Sequence, residues 1–237
     1  MDWVPTTAEG HLDGTVSFRD ALRALRARSK RVQELVGGKE VPLMLFLDWP
    51  TETMNKYYAL PPEERKDYFR VFVAEVYAHG LYFALPLRTT TDESTAAALG
   101  MMDFFARFRD HYKSHEDLYH GATDLAQTVT LSFGECASSE DPGACQDSRK
   151  ASHNLVRLQD GRTVLHVINH TYDAGVVEQE GFRASFRVDE SPSRVTLASL
   201  DFEADRAAEF TYEGGILEVD VGTLPASVAI VVESGAW

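Results

Sequence analysis

Hydrophobic positions along the chain follow two different periods. Up to about residue 120 they recur every three or four residues or come in unbroken runs, and from Thr128 onward they alternate with polar ones. The first pattern predicts helices and strands buried on both faces; the second predicts strands buried on one face.

In the first part, Phe18, Leu22, Leu25, Val32 and Val36 share a helical face, predicting a helix over about 17–36. Ser17 with Asp20 resembles a capping box, and Gly37-Gly38 supplies the stop. Arg19, Arg23, Arg26, Arg28, Lys30 and Arg31 occupy the other face and read as a solvated surface. Val41–Leu47 is an apolar run between Gly-Gly and Pro50, which predicts a doubly buried strand. Pro61-Pro62-Glu63-Glu64 opens a second helix with Phe69, Phe72, Val73, Val76 and Tyr77 inward and Gly80 at its end. Leu81–Leu87 is a second buried strand. A third helix is predicted from about Ser94 to Tyr119, with Leu99, Met102, Phe105, Phe108 and Tyr112 on one side. This alternation is the order of βα units on a parallel sheet.

In the second part, strands are predicted near Thr128–Phe133, Asn154–Leu158, Thr163–Asn169, Phe182–Val188, Arg194–Ser199, Ala208–Tyr212, Ile216–Val221 and Ser227–Val232. Asp160-Gly161 and Gly214-Gly215 are hairpin turn pairs, because those residues tolerate positive φ. Short strands at this spacing predict an antiparallel β-sandwich. The expected fold class is therefore α/β plus all-β. Residues 1–123 form a partial (β/α) barrel segment with two parallel strands and three helices, and residues 124–237 form the sandwich, with the change near Gly121–Asp124. Two parallel strands cannot bury both faces of each, so the first segment reads as part of a larger sheet.

Charge narrows the partners. The 237 residues hold 23 Lys and Arg against 37 Asp and Glu, a net charge of −14. A surface this acidic repels phosphate backbones and anionic bilayers, so nucleic acid and membrane are poor partners. No apolar run approaches the ~18–20 residues of a transmembrane helix. The opening MDWVPTTAEGHLDG has neither the basic nor the apolar region of a signal peptide. Cys136 and Cys145 bracket a Ser-, Gly- and acid-rich turn that a disulfide could close. A disulfide implies an oxidising compartment, which the opening segment does not support, so localisation stays open. The two cysteines lack nearby histidines or further cysteines, so no metal is expected.

The order of barrel strands, long helix and sandwich resembles the C-terminal part of (β/α)8-barrel glycoside hydrolases that carry a sandwich after the barrel. Leu-Phe-Leu-Asp48-Trp49-Pro50 and Ala-Leu-Pro-Leu-Arg88 look like the seventh and eighth barrel strands running into their top-face loops. Val164–Tyr172 looks like a core strand of the sandwich. Arg194–Ser199, the Gly-Gly hairpin and Leu224–Val232 look like its end. The resemblance implies a carbohydrate-active parent, secreted or otherwise, whose barrel strands one to six are missing here. The barrel would be supplied by an N-terminal half, by another polypeptide, or by a degenerate relative's own arrangement. It calls for no cofactor and implies an oligosaccharide as partner. An open sheet edge adds the expectation of a homo-oligomer.

At a barrel's top face, Asp48 and Trp49 look like a sugar subsite: a carboxylate accepts hydroxyl hydrogen bonds while an indole stacks on the apolar face of a sugar. A turn-forming Asp beside a core Trp fits the same residues. Arg88 binds substrate or pairs with Asp48. Tyr57 and Tyr58, with Asn55, line a cleft or fill a loop. Asp92 and Glu93 form an acid pair or cap the third helix. His111, His115 and His120 complement a helix C-terminus better than they bind a metal, and Asn169 and His170 read as turn residues. No nucleophile elbow, P-loop, dinucleotide fingerprint, HExxH or CxxC occurs. Glycoside hydrolysis needs two carboxylates about 5–10 Å apart. The catalytic residues therefore stay unassigned, and the chain by itself is expected to be inactive.

Overall fold

The computed structural model describes residues 18–37, 44–46, 61–84, 102–134, 151–171, 173 and 175–235. They belong to two compact units, Met1–Ser114 and His115–Trp237.

In the first unit, α1 spans Phe18–Leu35, β1 Met44–Phe46, α2 Pro62–Ala78, β2 Tyr82–Ala84 and α3 Met102–Ser114. Strands β1 and β2 pair in parallel, with Met44 opposite Tyr82 and Phe46 opposite Ala84. α2 begins as its sequence dictates. Pro61 is the N-cap, Pro62 needs no amide partner in the first turn, and Glu63 and Glu64 face the positive end of the helix dipole. Gly80, at φ 68°, turns the chain out of the helix. Val71 to Val76 are all buried, so this stretch of α2 is enclosed on every side instead of showing one apolar stripe. Phe69 meets Phe104, Phe105 and Phe108 edge-on at 5.6–6.2 Å between ring centres, and Tyr77 stacks on Tyr112 at 4.0 Å. These geometries favour the ring quadrupoles and lock α2 to α3.

Two helical expectations need correction. The third helix does not run on to Tyr119: α3 ends at Ser114, and a separate short helix α4 covers Glu116–Tyr119. His115 lies between the two helices with its ring turned to Asp205, 90 residues away in sequence. The inward face of α3 is Phe104, Phe108 and Tyr112, with Phe105 half-buried. In α1, Arg26 is buried, with Ser29, Lys30 and Gln33 half-buried beside it, while Val36 is exposed. Leu25 and Val32 of the predicted face are half-buried too, so the buried stripe overlaps the predicted one and extends past it to Arg26. It uses the apolar stems of long polar side chains as well as aliphatic residues.

The described residues of the second unit form α4 and ten strands: β3 Thr123–Asp124, β4 Val129–Ser132, β5 Ala151–Arg157, β6 Thr163–Asn169, β7 Gln179–Arg187, β8 Pro192–Ala198, β9 Arg206–Ala207, β10 Glu209–Glu213, β11 Ile216–Leu224 and β12 Ser227–Ser234. They form a four-stranded sheet, β10-β11-β7-β4, and a six-stranded sheet, β3-β5-β6-β12-β8-β9. Every pairing in both is antiparallel. The sandwich expected from the period-two pattern is present, and β3 and β9 are too short for that pattern to signal. Phe182, Phe186, Leu217 and Val219 from one sheet meet Leu165, Val167, Leu197 and Ile230 from the other in a common core.

At the two edges of the sandwich, edge strands adjacent in sequence lie in opposite sheets. β3 and β4 lie in different sheets, as do β9 and β10. Leu125 N–H donates to Leu155 O at one edge and Ala208 N–H donates to Val195 O at the other. Short edge strands of this kind leave little free backbone for edge-to-edge pairing. Gly214 and Gly215, at φ 59° and 83°, make the β10–β11 hairpin turn.

Candidate functional site

The residues expected from the sequence to form a site follow β1 and β2 along the chain. The parallel register of the strands puts Phe46 beside Ala84, so both strands finish at the same end of the pair. Asp48 is two residues beyond Phe46 in sequence and Arg88 four beyond Ala84. Asp48, Trp49, Tyr57, Tyr58 and Arg88 themselves lie outside the described residues, as do Asn55, Asp92, Glu93 and both cysteines of the expected disulfide, Cys136 and Cys145.

The three histidines of the α3–α4 region part company. His111 meets the Tyr112 ring edge-on at 5.0 Å. His115 Nε2–H donates to the Asp205 carboxylate at 3.0 and 3.1 Å. His120 is half-buried just beyond α4. Among the described residues, no group of three or more His, Cys, Asp or Glu is placed to hold a metal ion.

The structure brings together polar groups that sequence spacing did not single out as pairs. On the face of the six-stranded sheet away from the common core, β6 carries His166 and Ile168, and β5 carries Ser152 opposite Ile168. His166 Nε2–H donates to Leu118 O at 3.1 Å, which fixes the tautomer, and its ring stacks on Tyr119 at 5.0 Å. This pins α4 to the sheet. Just past β6, His170 Nε2 lies 3.0 Å from Ser152 Oγ. Ser and His at this distance are the elements of a nucleophile–base pair. Ser152, however, is 3% exposed and His170 6%, so the hydroxyl is closed to a substrate and the contact ties β5 to the end of β6.

Asn169 is fully buried. Its Nδ2 donates to Val177 O at 2.9 Å and Leu224 O at 3.4 Å, and its Oδ1 accepts from Thr171 N–H at 2.9 Å. It acts as the turn and hydrogen-bonding residue its position suggests. In the first unit, the fully buried Glu75 lies one helical turn before His79. The histidine Nδ1–H donates to Glu75 O at 2.7 Å, with a carboxylate oxygen 3.7 Å away. The only sequence signal for either arrangement is a polar residue inside a buried stretch, which does not say what it will meet.

Arg162 anchors the turn between β5 and β6. It pairs with Asp160 at 2.7 Å and reaches Asp117 on α4. The guanidinium hydrogen bond holds the Asp160 carboxyl below its usual range, against a smaller opposing effect of burial. The same contacts push Arg162 up.

The sequence matches no protein-family profile and no curated protein. Solved structures do match. A cycloisomaltooligosaccharide glucanotransferase from Paenibacillus sp., solved with cycloisomaltoheptaose, aligns with a TM-score of 0.51 at 15% identity over 70% of this chain and 27% of that one. An α-L-fucosidase isoenzyme 2 from Paenibacillus thiaminolyticus aligns at 14% identity over 61% of this chain and 19% of its own, with a TM-score of 0.32. A rhamnosidase from Novosphingobium sp. PP1Y aligns at 15% identity over 70% and 16%, also with a TM-score of 0.32. The chain thus spans about a quarter or less of the length of these proteins. At such identity the first match is a likeness of fold alone.

Proposed function

We propose that the chain is a carbohydrate-active, glycoside hydrolase-like protein or the C-terminal part of one. Residues 1–123 supply the last strands of a barrel and residues 124–237 its sandwich. The segments after β1 and β2 form substrate subsites. Asp48 accepts hydrogen bonds from sugar hydroxyls, Trp49 stacks on a sugar face, and Tyr57 and Tyr58 extend the contact. Arg88 orients Asp48 or the substrate. The observation that carries this reading is the parallel, in-register pairing of Met44–Phe46 with Tyr82–Ala84. In (β/α) folds, function gathers at the end where parallel strands finish. The fold likeness to part of a cycloisomaltooligosaccharide glucanotransferase supports it.

The subsites bind without cleaving. Hydrolysis needs a second carboxylate and a raised pKa on one of the pair, and neither is assigned to this chain. The test is a panel of aryl-glycosides, linear oligosaccharides and cycloisomaltooligosaccharides, with Trp fluorescence as the binding readout. The expected result is no turnover, with a saccharide-dependent fluorescence change that Trp49→Ala abolishes and Asp48→Asn weakens about tenfold or more, the loss of a charge-assisted hydrogen bond. Turnover abolished by Asp48→Asn would make Asp48 catalytic and overturn the non-catalytic assignment.

A second reading is a non-catalytic carbohydrate-binding or structural sandwich module, favoured by the closed hydrophobic core of the second unit. Binding that survives Asp48→Asn, Trp49→Ala and Arg88→Ala together would move the sugar site to the sandwich. No binding to any member of the panel would leave the structural role.

A further inference from the structure

Charge is divided very unequally between the two units. The second holds 21 Asp and Glu against 8 Lys and Arg, a net −13, while the first is nearly neutral. Within the first, α1 carries six basic and two acidic residues. Ala24, Arg28, Arg31 and Leu35 on α1 are all exposed and lie at i, i+4, i+7 and i+11, a single helical face. Glu34, also exposed, stands to one side of this row. Leu35 is 79% exposed, the highest value among the exposed large hydrophobic residues. The Arg28 and Arg31 side chains have no hydrogen-bond or ion-pair partner among the described residues.

The outer face of the four-stranded sheet has the opposite character. Phe210 and Tyr212 of β10 turn to the core, so Glu209, Thr211 and Glu213 point outward along the sheet's edge strand. Glu209 faces Asp220 across the ladder and Glu213 faces Ile216, which is 45% exposed. Asp220 and Glu218 are drawn to Arg183, at 3.3 and 3.9 Å, whereas Glu209 and Glu213 have no partner among the described residues.

We infer that the exposed face of α1 docks along β10 of a second copy of this chain. The dimensions agree: Ala24 to Leu35 rises ~16 Å along the helix, and Glu209 to Glu213 spans ~13 Å of strand. The small Ala24 side chain lets that end of the helix come close to the sheet. Arg28 and Arg31 are ~4.5 Å apart along the axis, and their long apolar stems splay to reach the two unpaired carboxylates. Leu35 and Ile216 meet at the end where Arg31 pairs with Glu213. The two surfaces differ, so the contact is heterologous and runs head to tail. The charge division selects this arrangement, since sandwich against sandwich would oppose two strongly acidic faces. With a single pair of large apolar residues at its end, the contact is weak and salt-dependent.

The test is sedimentation velocity with light scattering on the full chain at about 0.01 M salt, where the Debye length is ~30 Å, and at about 1 M, where it is ~3 Å. Concentration-dependent dimers and longer species are expected at low salt, falling to the single-chain mass at high salt. Arg28→Glu with Arg31→Glu, and separately Glu209→Lys with Glu213→Lys, should each give the single-chain mass at low salt. Mixing the two double variants should restore association, because each then presents a complementary surface to the other. Circular dichroism checks that both are folded. A single-chain mass for the unmodified protein at low salt overturns the inference. So does association that survives either charge reversal, or a mixture that stays dissociated.

Discussion

Arg162 lies between two carboxylates from different parts of the second unit, Asp160 beside it in the turn and Asp117 on α4. The Asp160 carboxyl is depressed in the folded state. The associated stability is therefore fully present above the unfolded value of about 3.9 and lost as pH falls through the folded one. Asp160 is half exposed, so solvent screens the pair. Arg162→Ala should cost under ~1 kcal/mol at pH 7 and flatten the loss of stability below about pH 4. Urea unfolding midpoints between about pH 3 and 7 check this, and an unchanged acid limb would contradict it.

At the scale of elements, the sandwich depends on two backbones passing close together. Gly181 on β7 has φ 63°, and a Cβ there would sit 3.1 Å from the Gly134 Cα just past β4. Both the dihedral and the space demand glycine. Gly161 in the β5–β6 turn has φ 91° but open space around it. Gly181→Ala should therefore destabilise by about 2–3 kcal/mol, against about 1 for Gly161→Ala, where only the conformational cost applies. Thermal unfolding of both variants beside the unmodified chain tests the difference, and equal losses would refute the close approach as its cause. β6 is observed over the predicted range Thr163–Asn169, but it is buried on both faces instead of the one face that alternation implies. The second helix begins at its Pro-Pro-Glu-Glu signal. The buried face of α1 extends past its apolar periodicity because periodicity counts apolar residues, while burial also accepts the stem of Arg26.

For the whole molecule, the acidic second unit stores like-charge repulsion. Glu209 directly faces Asp220 across the β10–β11 ladder, an unfavourable cross-strand pair. Salt screens such repulsion, and net charge far from zero destabilises a compact state. Raising salt from about 0.01 to 1 M should raise the melting temperature of the sandwich by a few degrees. Glu209→Gln should gain several tenths of a kcal/mol at low salt and almost nothing at high salt. Calorimetry on the full chain measures both, and a melting temperature that falls with salt would count against the repulsion.

The sequence specifies the long elements, their order and the change from helical to strand period, but not the short α4, β3 and β9. Each of the specified features follows from how apolar residues repeat about a segment's own axis, and that information is local. It also determined the net charge and placed Asp48, Trp49 and Arg88 just beyond two apolar runs. Which strands pair, how they distribute between two sheets and which distant polar groups meet are settled by the packing of the whole fold. His115 finds Asp205 across 90 residues, and Asn169 finds Leu224 across 55. Such contacts leave no periodic trace. A buried donor takes whichever acceptor the packed chain brings within about 3 Å, and that choice is made by the whole fold at once.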